Sequence, residues 1–196
     1  IRAFGRPVEV ASAPATKSTD RYRKFSEKLG YFDVRQTFLR VGYSLKMTEL
    51  QAAIGIEQLK KLPEFINMRI ANAHYITHGL KDIGAEDYFI LPIEKTWAVH
   101  TYHHVPLIVR NDAPFTRLDI VSHLENNEIE TRPVEAGNMI VQPVMDDVKF
   151  RVHGETPMAD LIVKNGFIVG CHQGLTKEQL DYMISKFSEF LKEHKK

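Results

Sequence analysis

A short stretch containing Tyr43, Ser44 and Lys46 holds the side chains best suited to bind an anion. Two hydroxyls and a cation precede Thr48, which forms a capping box with Gln51 and predicts a helix that begins directly after it. The first N–H groups of a helix have no partner within the helix, so a phosphate group can bind there. The alternative interpretation is an ordinary capped surface helix with a solvated lysine.

Three histidines, His100, His103 and His104, raise the question of a metal site, but the strand pattern around them argues against one. Neighbouring residues of a strand point to opposite faces, so His103 and His104 are not expected to bind the same ion. Cys171 has no second thiol in the chain, and we interpret it as a small buried apolar residue. The sequence therefore predicts no metal site.

The composition is that of a globular domain or of part of a larger one. The 196 residues are 43% apolar and 26% charged. A formal net charge of +1 gives no strong field for nucleic acid or membranes, and no apolar run reaches membrane-spanning length. The first residues, Ile1–Gly5, lack the apolar core of a signal peptide, and a single cysteine is typical of a reducing compartment. We therefore expect a cytoplasmic protein that binds neither nucleic acid nor membranes.

Two helices are predicted after the anion-binding stretch. The first is expected to end at Pro63, because proline breaks the helical hydrogen-bond ladder. The second has an apolar stripe at helical spacing and ends near Gly84, a residue suited to a C-terminal cap. The stripe consists of Ile66, Ile70, Ala73, Ile76, Leu80 and Ile83.

Shorter elements complete the chain. Capping boxes begin helices after Thr116, with Asp119, and after Thr176, with Gln179. Proline has no backbone N–H to donate to a neighbouring strand, so Pro106 predicts that its strand lies at a sheet edge or contains a bulge. Further helices are predicted for residues 20–29, 137–142 and 157–164, and extended segments for residues 30–41, 88–91, 102–110, 129–134 and 167–170. Helices that alternate with short strands indicate an α/β or α+β layer structure.

The sequence GYSLKMTELQAAIGIEQLKKLPEF, which begins at Gly42, resembles the G-Y-N-x-[RK]-x-[ST]-E-x-Q-A-A-x-G-x-x-Q-L-x-x-L segment of the DegT-like family. The likeness continues through IETRP, AGNMIVQP and FIVGCHQGLT. Members of this family are pyridoxal-phosphate enzymes that act on 4-keto nucleotide sugars. The resemblance implies the C-terminal portion of a fold-type I enzyme, with helices packed on a small sheet. It divides the chain into a connector at residues 1–62, which follows a large domain and contacts the cofactor and the dimer partner, and a small domain at residues 63–196.

The same resemblance implies pyridoxal 5'-phosphate or pyridoxamine 5'-phosphate as cofactor, and a homodimer. In the family the asparagine of G-Y-N reaches the phosphate of the neighbouring subunit's cofactor, which assigns cofactor binding here to Tyr43, Ser44 and Lys46. Ser44 departs from that asparagine. No segment matches the family's Schiff-base residue or its pyridine-nitrogen aspartate, so no catalytic residue is assigned and the chain alone is expected to be inactive.

Four residues in the family-like segments are candidates for substrate binding. Arg132, in IETRP, has a planar fork suited to phosphate or hydroxyls, and the alternative is a surface ion pair with a neighbouring glutamate. Asn138, in AGN, either contacts the sugar or caps the following helix. His153 and His172, in VHG and CHQG, either line the site or form structural hydrogen bonds.

Two branches of the family fit the sequence. NDAPFTRLDIVSHLENNEIETRPVEAGNMIVQP and VKNGFIVGCHQGL look more like the carbon-3 dehydratases than like the aminotransferases. Residues Pro7–Val41 contain no cysteine, which argues against the dehydratase subset that carries an iron–sulfur cluster. The leading hypothesis is a 3-dehydratase of a 4-keto-6-deoxy nucleotide sugar, in deoxysugar or O-antigen biosynthesis. The alternatives are an aminotransferase that uses glutamate as amino donor and a non-catalytic dimerisation module.

Overall fold

The computed structural model of the protein describes residues 22–26, 30–33, 47–147 and 149–195. The chain divides into two compact units, Ile1–Lys60 and Lys61–Lys196, which are described separately. The predicted cofactor ligands Tyr43, Ser44 and Lys46 lie outside the described residues. Within those residues, no helix is both long and apolar enough to cross a membrane.

The first unit contains an antiparallel hairpin where a helix was predicted. Strand β1 (Tyr22–Ser26) pairs with strand β2 (Gly30–Asp33), and the ladder shifts between Lys24 and Ser26. The helix predicted for residues 20–29 is therefore wrong, because pairing with β2 satisfies the backbone of a segment whose helical preference was weak. The extended segment predicted to start at Gly30 is confirmed for its first four residues.

Helix α1 (Glu49–Asp82) begins as predicted and continues through the residue expected to end it. The Thr48 backbone donates to Gln51 Oε1 at 2.9 Å, and the Gln51 backbone donates to Thr48 Oγ1 at 3.3 Å. Pro63 lies inside the helix, so the predicted break is wrong. A proline removes one ladder hydrogen bond, at a cost of about 3 kcal/mol, and the burial of the apolar stripe in the following turns offsets this cost.

The stripe predicted for a second helix forms the C-terminal part of α1. Ala73, Ile76 and Leu80 are fully buried. Gly84 follows with a left-handed φ of 75° and donates its N–H to the Lys81 carbonyl at 2.9 Å, which confirms its predicted role at the helix end.

The second unit contains a four-stranded antiparallel sheet in the order β3-β4-β6-β5. Its strands are β3 (Phe89–Ile90), β4 (His104–Val109), β5 (Thr131–Arg132) and β6 (Gly166–Gly170), each within a segment where a strand was predicted, except that β6 begins one residue earlier. β4 is an interior strand in the order of the sheet, which contradicts the edge strand inferred from Pro106, and its ladder with β6 runs through Pro106 without the alternative bulge. The short β3 pairs only with Ile108 and Val109, so β6 is the single neighbouring strand of Pro106. Proline is tolerated there because no second strand needs the backbone N–H that it lacks.

Three more helices pack on this sheet, as the predicted α/β class requires. They are α2 (Arg117–Asn126), α3 (Pro157–Asn165) and α4 (Lys177–Glu193). The capping boxes of Thr116 with Asp119 and of Thr176 with Gln179 are both present. The helical piece predicted after Gly137 is a 3₁₀ turn, Met139–Val141, followed by a second, Pro143–Asp147.

Aromatic rings form the centre of the core. Phe89 lies with its ring centroid 5.7 Å from Phe115, 6.0 Å from Phe167 and 5.9 Å from Phe187. These residues come from β3, the segment before α2, β6 and α4, so one cluster joins the sheet to its helices. The apolar side chains of β4 that alternate toward this core are Val105, Leu107 and Val109.

Gly166 lies where no side chain fits. It ends α3, donating its N–H to the Ile162 carbonyl, and begins β6. A Cβ at this position would lie 2.6 Å from Ile162 O and 3.0 Å from Val134 Cγ2. Gly166→Ala is therefore expected to lower the free energy of unfolding by about 1–3 kcal/mol, measured by urea denaturation, because backbone must shift to admit the methyl group.

Gly55 provides the matched control for this substitution. It lies within α1, and a Cβ built there meets nothing within 4 Å. Gly55→Ala should therefore stabilise the chain, by up to about 1 kcal/mol, through helix propensity. Equal effects of the two substitutions would contradict the steric argument.

Candidate functional site

A cleft of about 560 Å³ lies in the second unit and is lined largely by polar side chains. Segments far apart in sequence line it: α1, the start of β4, the approach to β5, the end of β6 and α4. The polar residues of its wall are Arg69, His103, His104, Glu128, Glu130, Arg132, His172, Gln179 and Tyr182. Two sequence-predicted residues, Arg132 and His172, are thus brought to the same cleft.

Arg69 ties three parts of the cleft wall together. Its Nη1 donates to the carbonyls of Tyr102, at 3.1 Å, and His103, at 3.0 Å. Its Nε donates to Gln173 Oε1 at 3.2 Å. Tyr102 has a left-handed φ of 46°, a strained value for an aromatic residue. The guanidinium therefore supports an unusual backbone turn directly before β4.

His172 is oriented by backbone contacts at the end of β6. Its Nδ1 accepts the N–H of Gly174 at 3.0 Å, so a neutral His172 carries its proton on Nε2. Asn72 of α1 donates to the His172 carbonyl at 2.9 Å. The ring is therefore positioned to offer a donor from Nε2 to a ligand in the cleft.

Arg132 is held by one carboxylate and is largely exposed. Its Nε and Nη2 both donate to Glu130 Oε1, at 2.9 and 2.7 Å. The two side chains are 65% and 74% exposed, so the pair contributes only about 0–1 kcal/mol. A phosphate with two negative charges can compete with this carboxylate for the guanidinium.

His103 and His104 lie together, contrary to the expectation that they point to opposite faces. Their ring centroids are 3.9 Å apart, and their nitrogens lie within 4.8 Å of each other and of a Glu135 carboxylate oxygen. Strand alternation fails here because β4 begins at His104, so His103 belongs to the preceding bend. Burial lowers the pKa of His104, and neighbouring His103 lowers that pKa further. The geometric premise that excluded a shared ion is therefore wrong.

The remaining predicted substrate residues lie outside this cleft. Asn138 is 5% exposed; its Oδ1 accepts the Ile140 N–H at 3.0 Å, which is the predicted cap, and its Nδ2 donates to Thr156 and Asp160. It borders a separate cleft of about 390 Å³. His153 is exposed and lines neither cleft. Asn138 therefore has its carboxamide engaged on both sides by the protein itself.

Cys171 behaves as a buried structural residue. It is fully buried, and its Sγ donates to the Tyr102 carbonyl at 3.4 Å. Burial raises the pKa of the thiol, which keeps it protonated and unreactive. The interpretation drawn from the sequence is confirmed.

Sequence reasoning missed the contributions of Arg69, His103, His104, Gln179 and Tyr182 to the cleft. One signal was present: Arg69 and Asn72 are spaced i, i+3 on a helix and share a face, and both bind the wall of the cleft. With two guanidinium groups, three imidazoles and a phenol, the cleft is suited to an anionic ligand that also carries hydroxyls.

Comparisons with known proteins indicate one protein family. The model of the DegT/DnrJ/EryC1/StrS aminotransferase family matches residues 12–188. The chain is 36% identical over 172 residues to the lipopolysaccharide biosynthesis protein RfbH of Salmonella typhimurium, covering 86% of this chain and 39% of that protein. It is 32% identical to GDP-4-keto-6-deoxy-D-mannose 3-dehydratase of Escherichia coli O55:H7, covering 78% of this chain and 38% of that enzyme.

A solved structure of such a dehydratase is also similar to this chain. The E. coli GDP-4-keto-6-deoxy-D-mannose-3-dehydratase with bound hydrated PLP superposes with a TM-score of 0.69 at 32% identity, covering 76% of this chain and 38% of that one. The chain therefore spans about two fifths of the relatives it matches.

Proposed function

Because the chain belongs to the DegT/DnrJ/EryC1/StrS aminotransferase family, we propose that it forms the C-terminal portion of a PLP-dependent enzyme that modifies nucleotide sugars. The most suitable reaction is 3-dehydration of a nucleoside-diphosphate 4-keto-6-deoxyhexose, within deoxysugar or lipopolysaccharide biosynthesis. The observation that carries this proposal is the likeness, over most of the chain, to a relative named for that dehydration. The alternative within the family is an aminotransferase that uses glutamate.

The cleft supplies the substrate-binding groups of this proposal. Arg132 offers a guanidinium fork to the diphosphate, and His172 offers its Nε2 donor to a phosphate or hydroxyl oxygen. Arg69 keeps the wall in place through its contacts with backbone carbonyls. Asn138 and His153 remain candidate substrate residues from the sequence, with Asn138 acting first as a cap.

We assign cofactor binding to the sequence segment that precedes α1. PLP, when bound, withdraws electrons from the substrate and so assists bond cleavage next to the sugar carbonyl. Lys46, with the hydroxyls of Tyr43 and Ser44, has the chemistry to hold its phosphate. The described helix start fits this role, because Thr48 caps the N–H of Gln51 and leaves the two preceding N–H groups unbonded within the helix.

A second copy of the chain completes the proposed site. The first turns of α1 expose large apolar side chains that a water-facing helix rarely carries. They are Leu50, Ile54, Ile56, Leu59 and Leu62, each 45–73% exposed. We assign this face to a homodimer contact.

We also propose a cytoplasmic location. The single free, buried Cys171 suits the reducing conditions of the cytoplasm.

The cofactor assignment is tested by substitution at Lys46 in a protein that joins this chain to the large domain of the family. Lys46→Ala should weaken PLP binding about 10–100-fold, because a charged hydrogen bond to phosphate contributes about 1.5–3 kcal/mol. Ser44→Asn should tighten it by restoring the family's carboxamide. Affinity is measured by absorbance titration with PLP.

Lys60→Ala is the matched control, because Lys60 is an exposed lysine of α1, paired with Glu57. Equal loss of PLP affinity in Lys46→Ala and Lys60→Ala, or none in either, would remove Lys46 from the site.

The reaction itself is tested with the same joined protein, PLP, glutamate and a 4-keto-6-deoxy nucleotide sugar. Loss of the carbon-3 hydroxyl supports the dehydratase. Release of an amino sugar supports the aminotransferase instead. If neither product forms while the protein is dimeric, the non-catalytic module is favoured.

A further inference from the structure

Three metal-ligand side chains converge beside the start of β4, and nothing in the proposed reaction uses them as a group. The ring nitrogens of His103 and His104 and a carboxylate oxygen of Glu135 all lie within 4.8 Å of one another. We propose that His103, His104 and Glu135 bind a divalent transition-metal ion of the zinc class. This inference goes beyond the proposed sugar chemistry and does not depend on it.

The donor set is the one that zinc prefers. Imidazole nitrogen and carboxylate oxygen bind Zn²⁺ at about 2.0–2.2 Å, commonly as two histidines and one glutamate with a fourth position open. His103 and Glu135 are exposed and His104 is half-buried, so their side chains can rotate the short distance needed to reach one ion. His103 and His104 also line the cleft, so an open coordination position there is accessible to water or to an oxygen of a bound ligand.

The neighbouring arginines Arg69 and Arg132 do not block the site, because their guanidinium groups are hydrogen-bonded to other residues. The Arg69 guanidinium donates to two backbone carbonyls and Gln173. Arg132 is paired with Glu130 rather than with Glu135. Within the described residues, no hydrogen bond or ion pair engages the rings of His103 and His104 or the Glu135 carboxylate. The three donors are therefore available for an ion.

The backbone at Glu135 gives an independent indication. Glu135 has a left-handed φ of 45°, in a turn closed by the Gly137 N–H bonded to the Val134 carbonyl at 3.0 Å. A left-handed conformation is unfavourable for a residue with a long side chain, and glycine or asparagine would adopt it more easily. Strained positions of this kind concentrate at functional sites. The turn brings a carboxylate to the two imidazoles at a conformational cost.

The proposal is tested by titrating the full chain, without PLP or sugar, with Zn²⁺ and with Co²⁺. Calorimetry should show one saturable ion per chain, and Co²⁺ should give the visible absorption of a nitrogen-ligated, low-coordinate ion. His103→Ala, His104→Ala and Glu135→Gln should each weaken Zn²⁺ binding by about tenfold or more, on the scale of one lost ligand. His78→Ala removes an exposed histidine of α1 that is not part of this cluster, so it should leave the Zn²⁺ affinity unchanged.

Several outcomes would overturn the site: no saturable binding to the wild-type chain, binding that survives all three substitutions, or equal loss in His78→Ala. Glu135→Asn separates ligand loss from misfolding, because asparagine suits the left-handed turn but replaces the carboxylate. It should keep or raise the melting temperature while weakening Zn²⁺ binding. If Zn²⁺ affinity falls only in variants that also lose structure by circular dichroism, the site is rejected. No outcome here bears on the PLP proposal, since neither cofactor nor substrate is present.

Discussion

Phe89→Ala is expected to lower the free energy of unfolding by about 3–5 kcal/mol, because it empties the centre of an aromatic core. Phe89 is fully buried, and its ring meets Phe115, Phe167 and Phe187 at centroid distances of 5.7, 6.0 and 5.9 Å. Domains are stable by only about 5–15 kcal/mol, so this one change removes a large fraction of the total.

The effect should extend to the cleft. Phe167 belongs to β6 and Phe187 to α4, and both elements line the cleft with other residues. A core that relaxes around the missing ring will shift these walls, so ligand binding should weaken together with stability. The cost in stability is measured by urea denaturation followed by far-ultraviolet circular dichroism.

Trp97→Ala is the control for the size of the deleted ring. Trp97 is 84% exposed, so losing it should change the free energy of unfolding by no more than about 0.5 kcal/mol. Similar losses for Trp97→Ala and Phe89→Ala would show that burial of Phe89 is not what stabilises the core.

Local chemistry made several elements of this fold predictable from the sequence. Capping boxes depend on residues three positions apart, so Thr48, Thr116 and Thr176 identified the starts of α1, α2 and α4 before any tertiary contact was known. Leu180, Met183, Phe187, Phe190 and Leu191 recur at helical spacing in α4, and all five are buried. These signals lie within a single helix and need no knowledge of the rest of the chain.

Other elements depended on tertiary contacts that the sequence does not display. Pro63 breaks an isolated helix, yet α1 continues because later turns bury Ala73, Ile76 and Leu80 against the core. Residues 22–26 form a strand because β2 is there to pair with them. In each case a local preference was outweighed by packing or pairing with a distant segment.

The candidate site shows the same division. Arg132 and His172 could be singled out because their motifs resemble a known family, and the structure brings both to one cleft. The pairing of His103 with His104 does not follow from strand alternation, because His103 precedes the first residue of β4. Arg69 acts through carbonyls of residues 33 and 34 positions away, which no spacing rule predicts.

Arg132→Ala should weaken binding of GDP or dTDP to the full chain by about 10–100-fold, because one charged hydrogen bond to phosphate contributes about 1.5–3 kcal/mol. Arg132→Lys should recover part of the loss, since it keeps the charge but not the planar fork. Binding is measured by calorimetry. Arg110→Ala is the control, because Arg110 is exposed and lies outside the cleft.

The ion pair with Glu130 makes this prediction sharper than a simple loss of charge. Glu130 accepts hydrogen bonds from two nitrogens of Arg132, Nε and Nη2, and is itself part of the cleft wall, so it opposes an anion in two ways. Glu130→Gln should therefore tighten GDP binding while Arg132→Ala weakens it, and the double variant should bind GDP more tightly than Arg132→Ala but less tightly than Glu130→Gln, because it still lacks the repelling carboxylate. If the pair is only a solvated surface contact, neither single substitution will change the affinity, and the diphosphate must be assigned to another group.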